Sequence, residues 1–210
     1  GQLPESVAVS SDGCKAVSAN RGSCDLSLVD TSRLLAGAFP TADAVTGAGA
    51  VATRFKILTD TGPLQSRPAE VLFVPESTES ASQCSVDGLS NAGLRKPWRA
   101  IVSFPSCGLV ALVELPSGRL LNSVYVRASG VEPAGTNPQC PTDCGNVDVG
   151  STGGLPTGRI AVESMTFLPF SRNESSPGQE LYVAARDSDV LVPLKVTDLG
   201  ALVEERPPLK

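Results

Sequence analysis

Glu5-Ser-Val-Ala-Val-Ser-Ser-Asp-Gly13 alternates Val7 and Val9 with small residues and then closes on Asp-Gly. Alternation followed by that dipeptide reads as a strand entering a hairpin. The same grammar opens two later stretches, Ala69-Glu-Val-Leu-Phe-Val-Pro75 and Glu163-Ser-Met-Thr-Phe-Leu-Pro169. A small-residue strand follows each opening: Lys15–Asn20, Arg99–Phe104 and Glu180–Ala185. Next come the Leu- and Val-rich runs Leu26–Asp30, Leu109–Leu115 and Val190–Val196, and each unit closes with Thr53–Leu58, Leu120–Val126 or Leu199–Glu204. Four strands per repeat is the blade of a β-propeller. The sequence thus predicts an all-β fold of three four-stranded antiparallel blades in a single partial propeller domain spanning 1–210. The blades cover about 5–60, 68–128 and 160–205, with an insertion at 129–158.

A helical reading fails because 20 Gly and 17 Pro punctuate the chain, and no long stretch sustains the i, i+3, i+4, i+7 pattern. One short helix is expected over Thr31–Ala36. The competing architecture is a β-sandwich with unequal loops, which strand count alone does not separate from blades.

At 210 residues, 41% hydrophobic and 19% charged, the chain is long enough to bury roughly 70% of its unfolded surface in one domain. No apolar run reaches the ~18 residues of a membrane-spanning helix, so no membrane span is expected. With 22 acidic against 17 basic residues and no basic cluster, the electrostatic footprint of a nucleic-acid binder is missing. The chain contains no His. That removes the usual acid–base residue, the commonest metal ligand and every Ser-His or Cys-His pair.

Six cysteines, Cys14, Cys24, Cys84, Cys107, Cys140 and Cys144, lie in turn-like contexts. An even set favours disulfides, hence an oxidising compartment: secreted, periplasmic or cell surface. Zinc is disfavoured because Cys140 and Cys144 form a lone C-x3-C with no His partner. Gly1-Gln2-Leu3-Pro4 has no basic or apolar leader character, so the chain is expected to be mature or cut from something longer.

The repeats resemble the YVTN-type β-propeller family, in which a Tyr-Val-Ala/Thr-Asn strand precedes a Gly-Ser-type turn and a Val-rich strand ending in Asp. Tyr182-Val183-Ala184-Ala185 matches the first three positions, and Val17-Ser18-Ala19-Asn20 with Gly22-Ser23 and Leu28-Val29-Asp30 matches the later half. The second copy departs, reading Ile101-Val102-Ser103-Phe104 at that place. The resemblance implies a ring of about seven blades, within a family that includes lactonase-like and cofactor-associated members.

Three blades leave open edges, so another chain or cleaved fragment is expected to supply the rest. Propeller topology also sorts the cysteines. Cys24, Cys107, Cys140 and Cys144 fall on one face and are expected to pair among themselves. Cys14 and Cys84 occupy the other face and are expected to pair across neighbouring blades.

Three long insertions, Thr41–Val51, Glu76–Pro97 and Ser129–Gly158, are the places where such a fold carries function. Arg21 and Arg186 sit at aligned rim positions, and Phe104 lies at the rim of the second blade. The two arginines suit a carboxylate or phosphate, although turn arginines are more often simply solvated. Trp98 is expected to pack between blades. No catalytic set, metal site or cofactor emerges: Glu204-Glu205 and Asp187 with Asp189 are too local for paired-acid chemistry. Asp143, Asn146 and Asp148 fit no Ca2+ loop, and Gly150–Gly154 lacks the context of a phosphate loop. The expected function is therefore non-catalytic binding or scaffolding through surface loops, with a protein or cell-envelope partner. The alternative is part of a lactonase-like or cofactor-dependent propeller enzyme.

Overall fold

The computed structural model describes residues 2–11, 13–31, 52–75, 98–144, 155, 158–168, 178–185, 188–197, 200–205 and 207–209. Within them the chain is all-β and every sheet is antiparallel. Sheet I is the meander β1 (Pro4–Val9), β2 (Lys15–Asn20), β3 (Asp25–Asp30) and β4 (Ala52–Phe55). A two-stranded hairpin follows, β5 (Leu58–Thr59) with β6 (Gly62–Pro63). Sheet II takes β7 (Val71–Phe73), β8 (Trp98–Phe104), β9 (Leu109–Leu115), β10 (Leu120–Arg127) and β11 (Gly130–Pro133) in sequence order. Sheet III comprises β12 (Val162–Phe167), β13 (Gly178–Ala185), β14 (Leu191–Thr197) and β15 (Leu202–Glu204). No sheet closes on itself.

The alternation of side chains along β8 and β9 sets the layering. Ala100, Val102, Phe104, Leu109, Ala111, Val113 and Leu115 belong to a core shared with Val17, Ala19, Leu26 and Leu28 of sheet I. Ile101, Val110 and Leu112, one residue out of step, join Met165, Leu181, Val183, Val192 and Leu194 of sheet III. Sheet II is covered on both sides, which is why its central strands read as unbroken apolar runs rather than as alternating ones. Sheets I and III each keep one face open: Val7 and Val9 are 65% and 59% exposed on the first, and Leu191 and Val203 are exposed on the last.

The repeats are equivalent in register as well as in order. Val7 lies opposite Ser18, Val71 opposite Val102, and Met165 opposite Val183. The pairing of β1 slips between Pro4 and Ser6, and that of β12 between Val162 and Ser164, the same place in the two copies. A bulge kept at one repeat position fixes the local twist of the strand.

Three boundaries differ from the sequence reading. The expected insertion at 129–158 begins with β11, a fifth strand on sheet II. Arg127 and Gly130 pair across the intervening turn, so a two-residue connection extends the meander where its Gly-rich sequence reads as loop. The expected strand Thr53–Leu58 ends at Phe55, after which Leu58 enters the small hairpin. The expected strand Ala69–Pro75 shortens to β7. The insertions Thr41–Val51 and Glu76–Pro97 and most of the Thr31–Ala36 helix fall outside the described residues. Trp98 packs edge-on against Phe73, ring centroids 5.7 Å apart, at the margin of the core between sheets I and II.

Candidate functional site

The connections β2–β3 and β8–β9 emerge at one end of the stack, and the chain shapes each differently. Arg21–Cys24 forms a tight turn that holds Cys24 at φ 49°, a conformation costly for a residue with a Cβ. Pro105–Cys107 forms a single 3-10 turn closed by Gly108 at φ 62°. A Cβ at Gly108 would meet the Ile160 carbonyl oxygen at 2.7 Å, so only glycine allows the chain entering β12 to pass so closely.

A strap crosses this end. Cys24 is bridged to Cys144 and Cys107 to Cys140. Five residues of chain, 140–144, thus tie a turn of sheet I to a turn of sheet II. Cys14 is also disulfide-bonded; Cys84, its expected partner, lies outside the described residues.

The strap runs parallel to the segment that carries the β5–β6 hairpin. The Asp60 amide donates to the Thr136 carbonyl at 3.3 Å and the Asp143 amide to the Gln65 carbonyl at 3.1 Å. Thr61 Oγ1 donates to Asn137 Oδ1 at 2.7 Å. Asp143 accepts from the Arg67 backbone N–H at 2.9 Å through Oδ1, and from Arg67 Nε at 2.8 Å through its carbonyl. Between these ties the segments part around an open groove of about 290 Å³ lined by Thr59, Thr61, Gln65, Asn137, Gln139 and Thr142, among others. None of the lining side chains is charged. Beneath the strap the Tyr125 hydroxyl donates to the Gln139 carbonyl at 3.1 Å, and Arg159 lies over the Tyr125 ring at 3.2 Å, a cation–π contact.

Cys24, Asp143 and Cys144 bring potential metal-ligand atoms within 4.8 Å of one another. Both sulfurs are spent in the Cys24–Cys144 bridge, and Asp143 Oδ1 already accepts from Arg67. These groups hold the strap.

Of the rim residues read from the sequence, Arg21 pairs with Glu5, its Nη1 lying 3.1 Å from Oε1 and from Oε2. Phe104 is 1% exposed and belongs to the core between sheets I and II. Arg186 lies outside the described residues. Sequence reasoning missed the hairpin wall of the groove, for which Asp60-Thr61-Gly62-Pro63 is a turn signal in plain view.

Two other polar features join or face the sheets. On the outer face of sheet I, Asn20 Nδ2 donates to Asp25 Oδ1 at 2.7 Å and to Ser27 Oγ at 2.8 Å, and Ser23 Oγ donates to Asp25 Oδ1 at 3.0 Å. Arg54 pairs with the remaining Asp25 oxygen. Burial alone would push the Asp25 carboxyl up, but hydrogen bonds from Arg54, Asn20 and Ser23, with the Arg54 charge, hold it below the usual range. Between sheets, Ser6 Oγ accepts from the Val71 amide at 3.3 Å. One junction further on, the Glu70 carboxyl accepts from the Met165 amide, while its Oε2 is buried with no partner among the described residues.

Burial raises the Glu70 pKa above its ordinary value near 4.5, the Met165 amide offsetting only part of that shift. The ionised form therefore costs stability above the folded-state pKa, and the cost vanishes below the unfolded one. Glu70→Gln keeps an oxygen acceptor for Met165 and removes the charge. It should be more stable than the parent at pH 7 by up to about 1 kcal/mol, with the gap closing below pH 4.5; urea titrations of both proteins across pH 3.5–7.5 check this.

No protein-family model matches the chain, and neither does any curated protein. Among solved structures, a hydrazine synthase chain from Kuenenia stuttgartiensis is similar over 97% of this chain, at 14% identity and a TM-score of 0.44. The present chain covers 37% of that chain.

Proposed function

We propose that the three stacked meanders are consecutive blades of a larger β-propeller, and that the protein is a non-catalytic binding or scaffolding module of a secreted, periplasmic or cell-surface assembly. Equivalent registers in the three opening strands and shared cores between successive sheets support the blade reading. Two described disulfides and a further disulfide-bonded cysteine, Cys14, support an oxidising compartment. Among the described residues no helix is long and apolar enough to cross a membrane.

The strap carries the binding reading. Two bridges and several backbone hydrogen bonds preorganise a loop surface that would otherwise lose conformational entropy on contact with a partner. Its bridges and hydrogen bonds present fixed polar groups at one end of the stack. The partner is a protein or cell-envelope component that meets the uncharged groove.

A photo-crosslinking residue at Asn137, on the strap, and another at Ser117, in the β9–β10 turn at the opposite end of sheet II, test this in the native setting. The expected result is a discrete covalent adduct from Asn137 and none from Ser117. Adducts from Ser117 alone, or from neither position, would remove the strap from the binding surface.

A further inference from the structure

The groove between the strap and the β5–β6 hairpin offers hydrogen bonds of both kinds and charge of neither sign. Asn137 gives its Oδ1 to Thr61, Gln139 its Nε2 to the Asn137 carbonyl, and Gln65 its Oε1 to Lys56 Nζ. Among the described residues these bonds leave the Asn137 and Gln65 amide donors, the Gln139 amide acceptor and the Thr142 hydroxyl unspent. A hydroxyl both donates and accepts. Asn137, Gln139 and Thr142 are exposed, so a ligand can reach them. The charged side chains of the same two segments are engaged elsewhere, Asp60 by the Thr136 hydroxyl and Asp143 by the Arg67 backbone.

That chemistry discriminates between ligand classes. An anion or cation would leave water for a groove that returns no opposite charge. An extended peptide binds by adding to an unpaired strand edge. Here the facing backbones are tied to each other, the Asp60 amide to the Thr136 carbonyl and the Asp143 amide to the Gln65 carbonyl. No Trp, Tyr or Arg, the residues that anchor protein interfaces, lines the groove. A neutral sugar fits what remains. Its hydroxyls donate and accept like the amides and threonines facing them, and the C–H faces of its rings match Pro63, Leu64 and Pro138. At about 290 Å³ the groove stands at the lower end of small-molecule sites, roughly 300–1,000 Å³, which suits the end of a glycan chain.

We infer that this groove binds the neutral, hydroxyl-rich end of a glycan. The inference rests on the binding reading proposed above and narrows its partner to one chemical class. Bonds to sugar hydroxyls compete with water and gain little each, so they need walls that are already fixed. The two bridges of the strap and the Thr61 to Asn137 bond supply that rigidity.

An array of neutral hexose and N-acetylhexosamine oligosaccharides, with uronate- and sulfate-bearing ones beside them, tests the inference on the oxidised 210-residue chain. The strongest neutral binder is then titrated by calorimetry against the parent and three variants. Thr142→Val removes a hydroxyl at nearly constant shape. Asn137→Asp keeps the oxygen that Thr61 uses and removes the unspent donor. Each should weaken binding about three- to tenfold, the worth of one hydrogen bond. Ser117→Ala, in the β9–β10 turn at the other end of sheet II, should bind as the parent does. Circular dichroism of all three variants should match the parent, which separates a lost contact from a lost fold.

Retention of acidic glycans alone, no neutral glycan bound at about 1 mM (about −4 kcal/mol), or binding indifferent to both groove variants overturns the inference. If Asn137 crosslinks a protein in the native setting while no neutral glycan binds, the binding reading stands and the glycan is wrong. If neither is found, both fall.

Discussion

Replacing Cys24 and Cys144 together by alanine should lower the unfolding free energy by about 4 kcal/mol. The bridge closes a sequence separation of 120 residues, and in the chain-entropy account a loop of that order restrains the unfolded ensemble by nearly 5 kcal/mol. The Cys107–Cys140 bridge already shortens the free path, so the realised value falls below that figure. Cys24 also sits at a positive φ, and the double variant relieves none of that cost because alanine keeps a Cβ. At about 2–4 °C per kcal/mol for a chain of this length, the melting temperature should fall by roughly 10 °C. Scanning calorimetry of the oxidised proteins reads this directly. A drop under 3 °C would mean that the hydrogen bonds between Asp143 and Arg67 hold the strap without the bridge.

Phe104→Ala should cost about 3–5 kcal/mol, the range for emptying a large aromatic from a packed core. Its ring is fully buried between sheets I and II, opposite Leu109, at the strand end that leads into the Pro105–Cys107 turn. The same change measures whether the residue has a rim role. If Phe104 acts only through packing, Phe104→Leu should recover most of the stability and retain whatever partner the strap captures. Denaturant midpoints for both variants, read beside the Asn137 crosslinking yield, separate the two roles. Loss of the crosslink in a stable Phe104→Leu protein would return Phe104 to the binding surface.

Much of the fold was legible because sheet residues announce their environment. Twelve expected strands lie within or overlap twelve of the strands in the three large sheets, since the Val, Leu and Ile runs and the Asp-Gly and Gly-Ser turns follow strand chemistry directly. The continuous run Leu109–Leu115 also signals a strand covered on both faces, and β9 is buried so. The fifth strand of sheet II was not legible, because Gly130-Val-Glu-Pro133 lacks both length and alternation and is held in place by its partner β10. The β5–β6 hairpin was hidden for the same reason, two residues per strand being too few for a period.

The candidate site was less legible than the core. Its defining contacts, Thr61 to Asn137 and Arg67 to Asp143, join residues 76 apart in sequence, and no local pattern encodes such a pair. Phe104 illustrates the converse difficulty. Alignment places it beside Asn20 and Ala185 at a rim position, yet the opposing Leu109 and the facing sheet enclose its ring. Sequence period assigns a residue to a face of a sheet but not to the depth of the layer packed against it.

The blade reading proposed above makes the stack a sector whose two open faces are covered in the working assembly. Hydrogen exchange at the Val7 amide, read by mass spectrometry on the protein isolated from its native source without reductant, tests it most directly. Slow exchange is expected at Val7, comparable with that at Val71 and Met165, because an acceptor from a neighbouring sheet occupies the edge. Exchange at Val7 as fast as in an unstructured peptide, with the neighbouring Ala8 still protected by its pairing to β2, would contradict it.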